Sequence, residues 1–435
     1  MRGIDKQTGR LYQRVVGLRG MNAAAPSRSL PDGESPGIYG ALLSTGSIVP
    51  AKVKGDAAFT SPPFDEPIRL AFVGEFDTPI IILMGGTKCW VQSSGAPTAK
   101  TPAAPFAGTA PIMWDGFTML SNGLPVAVVN NRGVNLPHYL DVSERTLGYD
   151  TGDDGTGDIP DVGDTVTGDN GSVGVIMAIT ITGTFAGGNA EGTLTLRACT
   201  GDWVNNEVLT FEDGETAIAD GVSAARPFIL LANAPNMRCS IGYLGRLVGG
   251  SVTPGDTEYI NRLQFSDEGD ITAWSGATSG YLDMKDRGDR ILRMGLLRGH
   301  QLLILRQETT YIGYPTLIPG NPIAVQHLAQ RGIFARQSLQ GLENAYIFMG
   351  KGDIYLADAT GVVPIGWKIR KPLFRDATPS TLDRAWSFTD KRAKNYYLVV
   401  AVSGGAVAWI YNWEEKAWTW QDLKGYTMLA TWRKD

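Results

Sequence analysis

Histidine is the side chain best suited to acid–base or metal chemistry near neutral pH, and this chain has three, His138, His300 and His327. They are far apart in sequence, and no carboxylate recurs beside them at ligand spacing, so they read as ordinary polar or packing histidines. Three cysteines, Cys89, Cys199 and Cys239, are equally dispersed and form neither a CxxC pair nor an even-numbered disulfide framework. HExxH and GxSxG are absent, and "MGKGD" lacks both the upstream glycine and the hydroxyl that a phosphate loop needs after its lysine. An acidic run, Asp150, Asp153, Asp154, Asp158, Asp161 and Asp164, has neither the alternation nor the closing glutamate of a calcium loop and reads as a solvated linker. Trp409, Trp413, Trp418 and Trp420 could stack on a sugar. Their alternation on the two arms of one hairpin fits a packed sheet face better. The expectation is a chain without catalytic residues, metal or cofactor, and therefore not an enzyme.

The stretch "RLQFSDEGDITAW" needs its own decision. An Asp-box sets serine and aspartate one residue apart and ends in adjacent Thr-Trp. Here Ser266 and Asp267 are adjacent, and Ala273 separates Thr272 from Trp274. The box reading fails. What remains is a strand followed by a polar loop in which Arg262, Ser266, Asp267, Asp270 and Trp274 serve structure. The short acidic side chains accept backbone N–H bonds, and the indole packs within its sheet.

The elements that would position these residues are strands. Glycine and proline are abundant, at 54 and 24 residues, and are spread along the length without a collagen-like period. That marks many turns between short strands. Apolar runs separated by turn signals begin near positions 80, 117, 239, 290, 336 and 383. Most intervals are about 40–50 residues, the length of a four-stranded propeller blade. Asn122-Gly123 supplies a tight hairpin, since both residues tolerate positive φ. One interval is far longer, and it holds a Gly/Asp/Thr-rich, strand-like block over 143–228. Treating that block as an insertion restores the period. The expected fold is all-β: a six-bladed β-propeller over 66–142 and 229–435, an inserted small β domain over 143–228, and an irregular N-terminal arm over 1–65. Stacking in a ring would bury the edges and faces that single blades expose.

A formal charge of −5 without a long basic run argues against tight sequence-reading contact with nucleic acid. The N-terminus lacks the apolar core of a secretory signal, and no run of about 18 apolar residues could span a membrane. Unpaired cysteines fit assembly in a reducing cytoplasm.

"INRLQFSDEGDITAW", continued by "GYLDMKDRGDRILRMGLLRGHQLLILRQETTYIGYP" and "QRGIFARQSLQGLENAYIFMGKGDIYLAD", resembles the tail nozzle proteins of short-tailed bacteriophages, also called packaged-DNA stabilisation or tail tubular proteins. The shared grammar is Arg-aromatic-Ser-Asp-x-x-Asp-x-x-x-Trp, an Asp-Gly turn, and an apolar strand ending in tyrosine. It covers roughly Cys239 to Trp420 and extends only loosely to earlier units. The resemblance implies a structural virion protein, a homo-hexameric ring below the portal and adaptor. Double-stranded DNA would pass through its lumen without sequence recognition, and a tail fibre or spike would be a neighbour. It further implies a place in the virion tail at the head–tail connector, after assembly in the host cytoplasm. A glycan-binding or receptor-binding tail propeller is the alternative, in which the insert would carry the contact.

Overall fold

In "GHQLLILRQ" four successive side chains are apolar, which suits a strand covered on both faces. The computed structural model shows the reason. Within Gln301–Arg306, Leu302 and Ile304 join the core shared with the preceding sheet, whereas Leu303 and Leu305 join the core shared with the following one. The structure describes residues 68–422, with gaps at 77, 93–96, 103–105, 107–113, 154, 156–158, 287, 319, 376 and 403–404, and a few short strands between 2 and 50. Most of the expected arm, 1–65, therefore lies outside the described residues.

The chain is all-β, with a propeller-like arrangement of four-stranded antiparallel sheets. The first sheet runs from Leu70–Gly74 to Thr98–Ala99, and the second from Asp115–Ser121 through His138–Leu140, closed by Ile229–Leu230. The third spans Asn236–Tyr243 to Gly280–Asp283, and the fourth Ile291–Leu297 to Ile323–Ala329. Ala335–Gly341 to Val362–Pro364 and Trp386–Asp390 to Ala417–Asp422, here the fifth and sixth, are the two four-stranded halves of one eight-stranded sheet. A single parallel bridge, Gln337 with Trp386, links the last two sheets. Asn122 and Gly123 take φ of 50° and 79°, the left-handed pair that the hairpin in the second sheet requires.

Between the third and fourth strands of the second sheet the chain leaves to build a closed six-stranded barrel, from Arg145–Asp153 to Thr216–Ala225. Its core is its own: Leu147, Tyr149, Val166, Leu194, Leu196 and Trp203 are buried among barrel residues. Arg145 and Ala225 are register partners, so the barrel starts and ends at one place. Directly outside that stem Arg226 Nη1 pairs with Glu144 Oε2 at 2.8 Å. The acidic run starts inside the barrel rather than ahead of it, while Asp161 and Asp164 lie in the turn before Thr165–Gly168. Asp150 and Asp153 belong to the first barrel strand, where Leu147 and Tyr149 turn inward and the aspartates remain outside the core. Asp154 and Asp158 lie outside the described residues. Strand alternation between a small apolar face and a wet acidic one made this segment look structureless.

By backbone contacts the chain forms two compact units: Asp65–Val129 with Asn135–Ala232, and Asn130–Val134 with the chain from Asn233 onward. This grouping sets the barrel with the first two sheets. In the first unit, Ile82, Met84 and Cys89 of one sheet pack with Ala127, Val129 and Leu140 of the next. In the second unit, consecutive sheets share continuous cores. The last of these, around Ile347, Tyr396 and Trp418, also takes Leu373 and Leu382 from two short helices, Arg370–Arg375 and Pro379–Asp383.

Candidate functional site

The predicted motif loop joins the third and fourth strands of the third sheet. Arg262, on Tyr259–Phe265, faces its register partner Asp283 and forks onto it with bonds of 2.6 and 2.9 Å. Its guanidinium lies between the Tyr259 and Tyr281 rings, 3.6 and 3.9 Å from their centroids. Those bonds hold the Asp283 carboxyl below its usual range. Ser266 is fully buried; its hydroxyl accepts from Leu247 N and donates to Asp267 O, both at 3.0 Å. Asp267 accepts the N–H and hydroxyl of Thr278, each at 2.9 Å, and Asp270 accepts those of Thr272 at 2.8 and 2.7 Å. A Cβ on Gly276 would sit 1.5 Å from Asp267 Oδ2, so the loop bend passes close to that carboxylate at a glycine. These contacts tie the loop to itself.

Two points depart from the sequence reading. Trp274 is only half-buried; its indole N–H donates to Ile271 O at 2.8 Å, which makes it a clamp on the loop rather than a core anchor. The residue that organises the loop was not singled out at all. Arg246, buried, donates to Ser266 O, to both oxygens of Thr278 and to Glu268. In the sequence it is one arginine after a Leu-Gly turn.

The three histidines do not gather. His138 is buried against Phe106, with Nδ1 2.9 Å from Leu136 O, and burial lowers its pKa. His300 lies in an exposed hairpin tip, and His327 packs edge-on to Tyr311. Among the described residues no His, Cys, Asp and Glu side chains converge as metal ligands would. In the sixth sheet Tyr411 and Trp418 pack 4.9 Å apart within the core, and Trp413 and Trp420 flank them, so the tryptophan alternation is a packed face.

A second cluster went unnoticed in the sequence. The opening strands of three consecutive sheets each carry an arginine near their start: Arg238 on Asn236–Tyr243, Arg293 on Ile291–Leu297 and Arg336 on Ala335–Gly341. Arg336 is buried and crosses all three, donating through Nε to Leu292 O at 3.0 Å and through Nη2 to Arg238 O. Arg238 and Arg290 share one carboxylate, Glu258, at 3.0 and 2.7 Å. Arg132 comes from the turn after Leu124–Asn130, where Gly133 O accepts from Asn236 Nδ2 at 2.6 Å. Arg132 has φ of 62°, an uncommon conformation for a side chain of its size, and its buried Nε has no hydrogen-bond partner. Burial first, then Arg336, lowers the Arg132 pKa, with Asp383 opposing. Burial and the Arg336 charge act on Arg293 in the same direction. Among the described residues, Glu258 pairs with Arg238 and Arg290, and Asp383 is a carboxylate near Arg132 and Arg336. The buried Cys239 thiol lies beside Arg336, and burial raises its pKa to about 11.

No family model and no curated protein matches the chain. Among solved structures it is similar to dihydro-heme d1 dehydrogenase NirN in complex with DHE, at 10% identity and a TM-score of 0.32, over 84% of this chain and 55% of that one. The chain therefore spans about half the length of that protein. It is also similar to BBS1N in complex with ARL6DN (11% identity, TM-score 0.28, 79% and 91% covered). A third is Hsv2 of Kluyvelomyces marxianus (8% identity, TM-score 0.28, 83% and 98% covered).

Proposed function

We propose that this chain is a structural subunit of a short-tailed phage tail, a nozzle-type propeller of six blades that assembles as a ring, retains packaged DNA and guides its ejection. The observation that carries the reading is the use of the motif behind the resemblance. Arg262, Ser266, Asp267, Asp270 and Trp274 all direct their polar groups at neighbouring backbone and side chains of their own sheet. A motif used this way builds a scaffold. Identical subunits with heterologous contacts close into a ring when the rotation per subunit divides the circle, and in this reading six copies do so beneath the portal-side adaptor. The barrel, with adjoining ends and its own core, is an addition that a tail protein can direct at a fibre, a spike or the host surface.

Electron microscopy and light scattering of the purified chain, alone and mixed with adaptor rings, test this. A six-fold tube that caps the adaptor is the expected result. A trimer would replace the reading with a receptor-binding spike. A monomer that binds glycans and ignores the adaptor would replace it with a glycan-binding propeller.

A further inference from the structure

We propose that the exposed basic segment 367–375, with Val363 just before it, is a docking surface for the acidic barrel tip of a second copy of this chain, so that copies join head to tail. The proposal rests on the ring reading for its identical neighbours and names the contact between them. Charge distribution is the first argument. Residues 143–228 hold 15 acidic residues and three arginines, a net −12, so the rest of a chain that totals −5 carries +7. Regions of opposite sign on one chain attract between copies, and two unlike patches that meet make a heterologous contact.

The barrel concentrates its acids at one end. Its strands alternate in direction around the ring, so the stem at Arg145 and Ala225 closes one end. The other end gathers the finish of Arg145–Asp153, the start of Thr165–Gly168 and the hairpin between Val208–Phe211 and Thr216–Ala225. Asp153, Asp161, Glu212 and Asp213 are exposed there, and Thr165 N donates to Glu212 Oε2 at 3.0 Å, which joins the two acidic loops. Ile159 and Val162, on either side of Asp161, are 50% and 64% exposed. Arg145 and Arg226 stand at the stem, and Arg197 lies beside Leu196, the register partner of Arg145, so the segment's three arginines are away from the tip.

The basic segment answers this tip in both charge and apolar surface. "WKIRKPLFR" has four cations and no anion. Ile369 and Leu373 turn into the core shared by the last two sheets, which leaves Trp367, Arg370 and Lys371 facing outward. Trp367 is half-exposed with Lys368 Nζ 5.4 Å from its ring centroid, and Val363, on the edge strand Val362–Pro364, is equally open. Arg370 is 59% exposed and stands 3.8 Å from Asp353, beyond hydrogen-bonding distance. Exposed tryptophan and arginine are the residues that protein interfaces concentrate. Cations around Trp367 and Val363 complement carboxylates around Ile159 and Val162.

Sedimentation velocity of the full-length chain over a concentration series tests the contact. Self-association is expected at low salt, and it should weaken about tenfold or more between about 0.05 M and about 0.5 M salt. R370E/K371E, and separately D161K/D213K, should each weaken association about tenfold or more, because like charges then face each other. An equimolar mixture of these two variants should recover association, since alternating copies set every reversed patch against an opposite charge. Should R370E lower the melting temperature through Asp353, K371E alone decides. A wild type that stays monomeric overturns the proposal, and so does association that neither variant weakens or a mixture that stays apart. Weakening by the patch variant alone would overturn the barrel tip as occupant. Capping of adaptor rings by the same samples separates the two readings. Rings that cap the adaptor and ignore the charge reversals defeat this contact alone, whereas charge-dependent association without capping defeats the nozzle reading alone.

Discussion

Replacing Arg262 with methionine removes the charge but keeps most of the stem volume, so its effect isolates the guanidinium. That group makes a forked pair with Asp283, and both side chains are sheltered, at 11% and 17% exposure. Breaking a buried pair by deleting one partner costs about 3–5 kcal/mol, and the remaining exposure reduces this to roughly 2–3 kcal/mol. Two ring contacts add about 0.5–1 kcal/mol each. R262M should therefore destabilise the unit containing the third sheet by about 3–5 kcal/mol. R262K, which keeps charge but not the fork, should cost about half as much. Urea unfolding followed by tryptophan fluorescence measures both, and D283N completes a double-mutant cycle, with an expected coupling of about 1.5–3 kcal/mol. The pair also sets a pH dependence. The Asp283 carboxyl is lowered by its Arg262 hydrogen bond, so its contribution is present above the unfolded carboxylate pKa of about 4. It fades as pH falls through the lower folded value. A loss below about 0.5 kcal/mol in R262M, with a coupling near zero, would show that the motif arginine is free for a ligand and defeat the architectural reading.

Further outcomes follow from neighbouring features. W274A should cost about 1–2 kcal/mol, because the indole is half-buried, whereas W418A, in the core, should cost about 3–5 kcal/mol; equal melting shifts would contradict that contrast. Residues 143–228 expressed alone should melt cooperatively, and a chain in which a short glycine turn replaces 145–225 should keep its remaining sheets by circular dichroism, since Arg145 and Ala225 already adjoin. Loss of both folds would make the barrel part of a common core. Burial lowers the His138 pKa, so its unfolded form takes up protons first as pH falls below about 6.5. Stability should therefore drop through that range in the wild type and change less in H138Q. A wild-type profile flat from pH 7 to 5 would refute this.

Sheet positions were legible because burial on both faces leaves a mark that survives in one dimension. "LLIL" and "YIFM" are continuous apolar runs, and each strand lies between two cores or at the edge of one. The barrel was legible through composition, but its first strand was not. A strand that buries Leu147 and Tyr149 between glycines and aspartates carries too few apolar residues to outweigh its polar face. Arg246 was hidden for a different reason: nothing in "GYLGRLVGG" distinguishes an arginine that enters the protein from one that leaves it.

The arginine cluster shows where such reading stops. Its members come from positions 132, 238, 290, 293 and 336, and the chain total is acidic, so no window of sequence displays them together. A sum over the whole chain cannot show a grouping that folding creates. One trace did exist. "NMRCSIGY", "RILRMGLL" and "ARQSLQG" each place an arginine two or three residues into the strand that opens a sheet. When such strands open consecutive sheets and lie side by side, residues at the same offset from their starts are brought to one level. Arg336 then reaches the backbone of both neighbours. Aligning the repeats by strand start, rather than by apolar content alone, makes that recurrence visible. The chemistry of a repeated fold lies in positions equivalent between repeats, and distance along the chain conceals it.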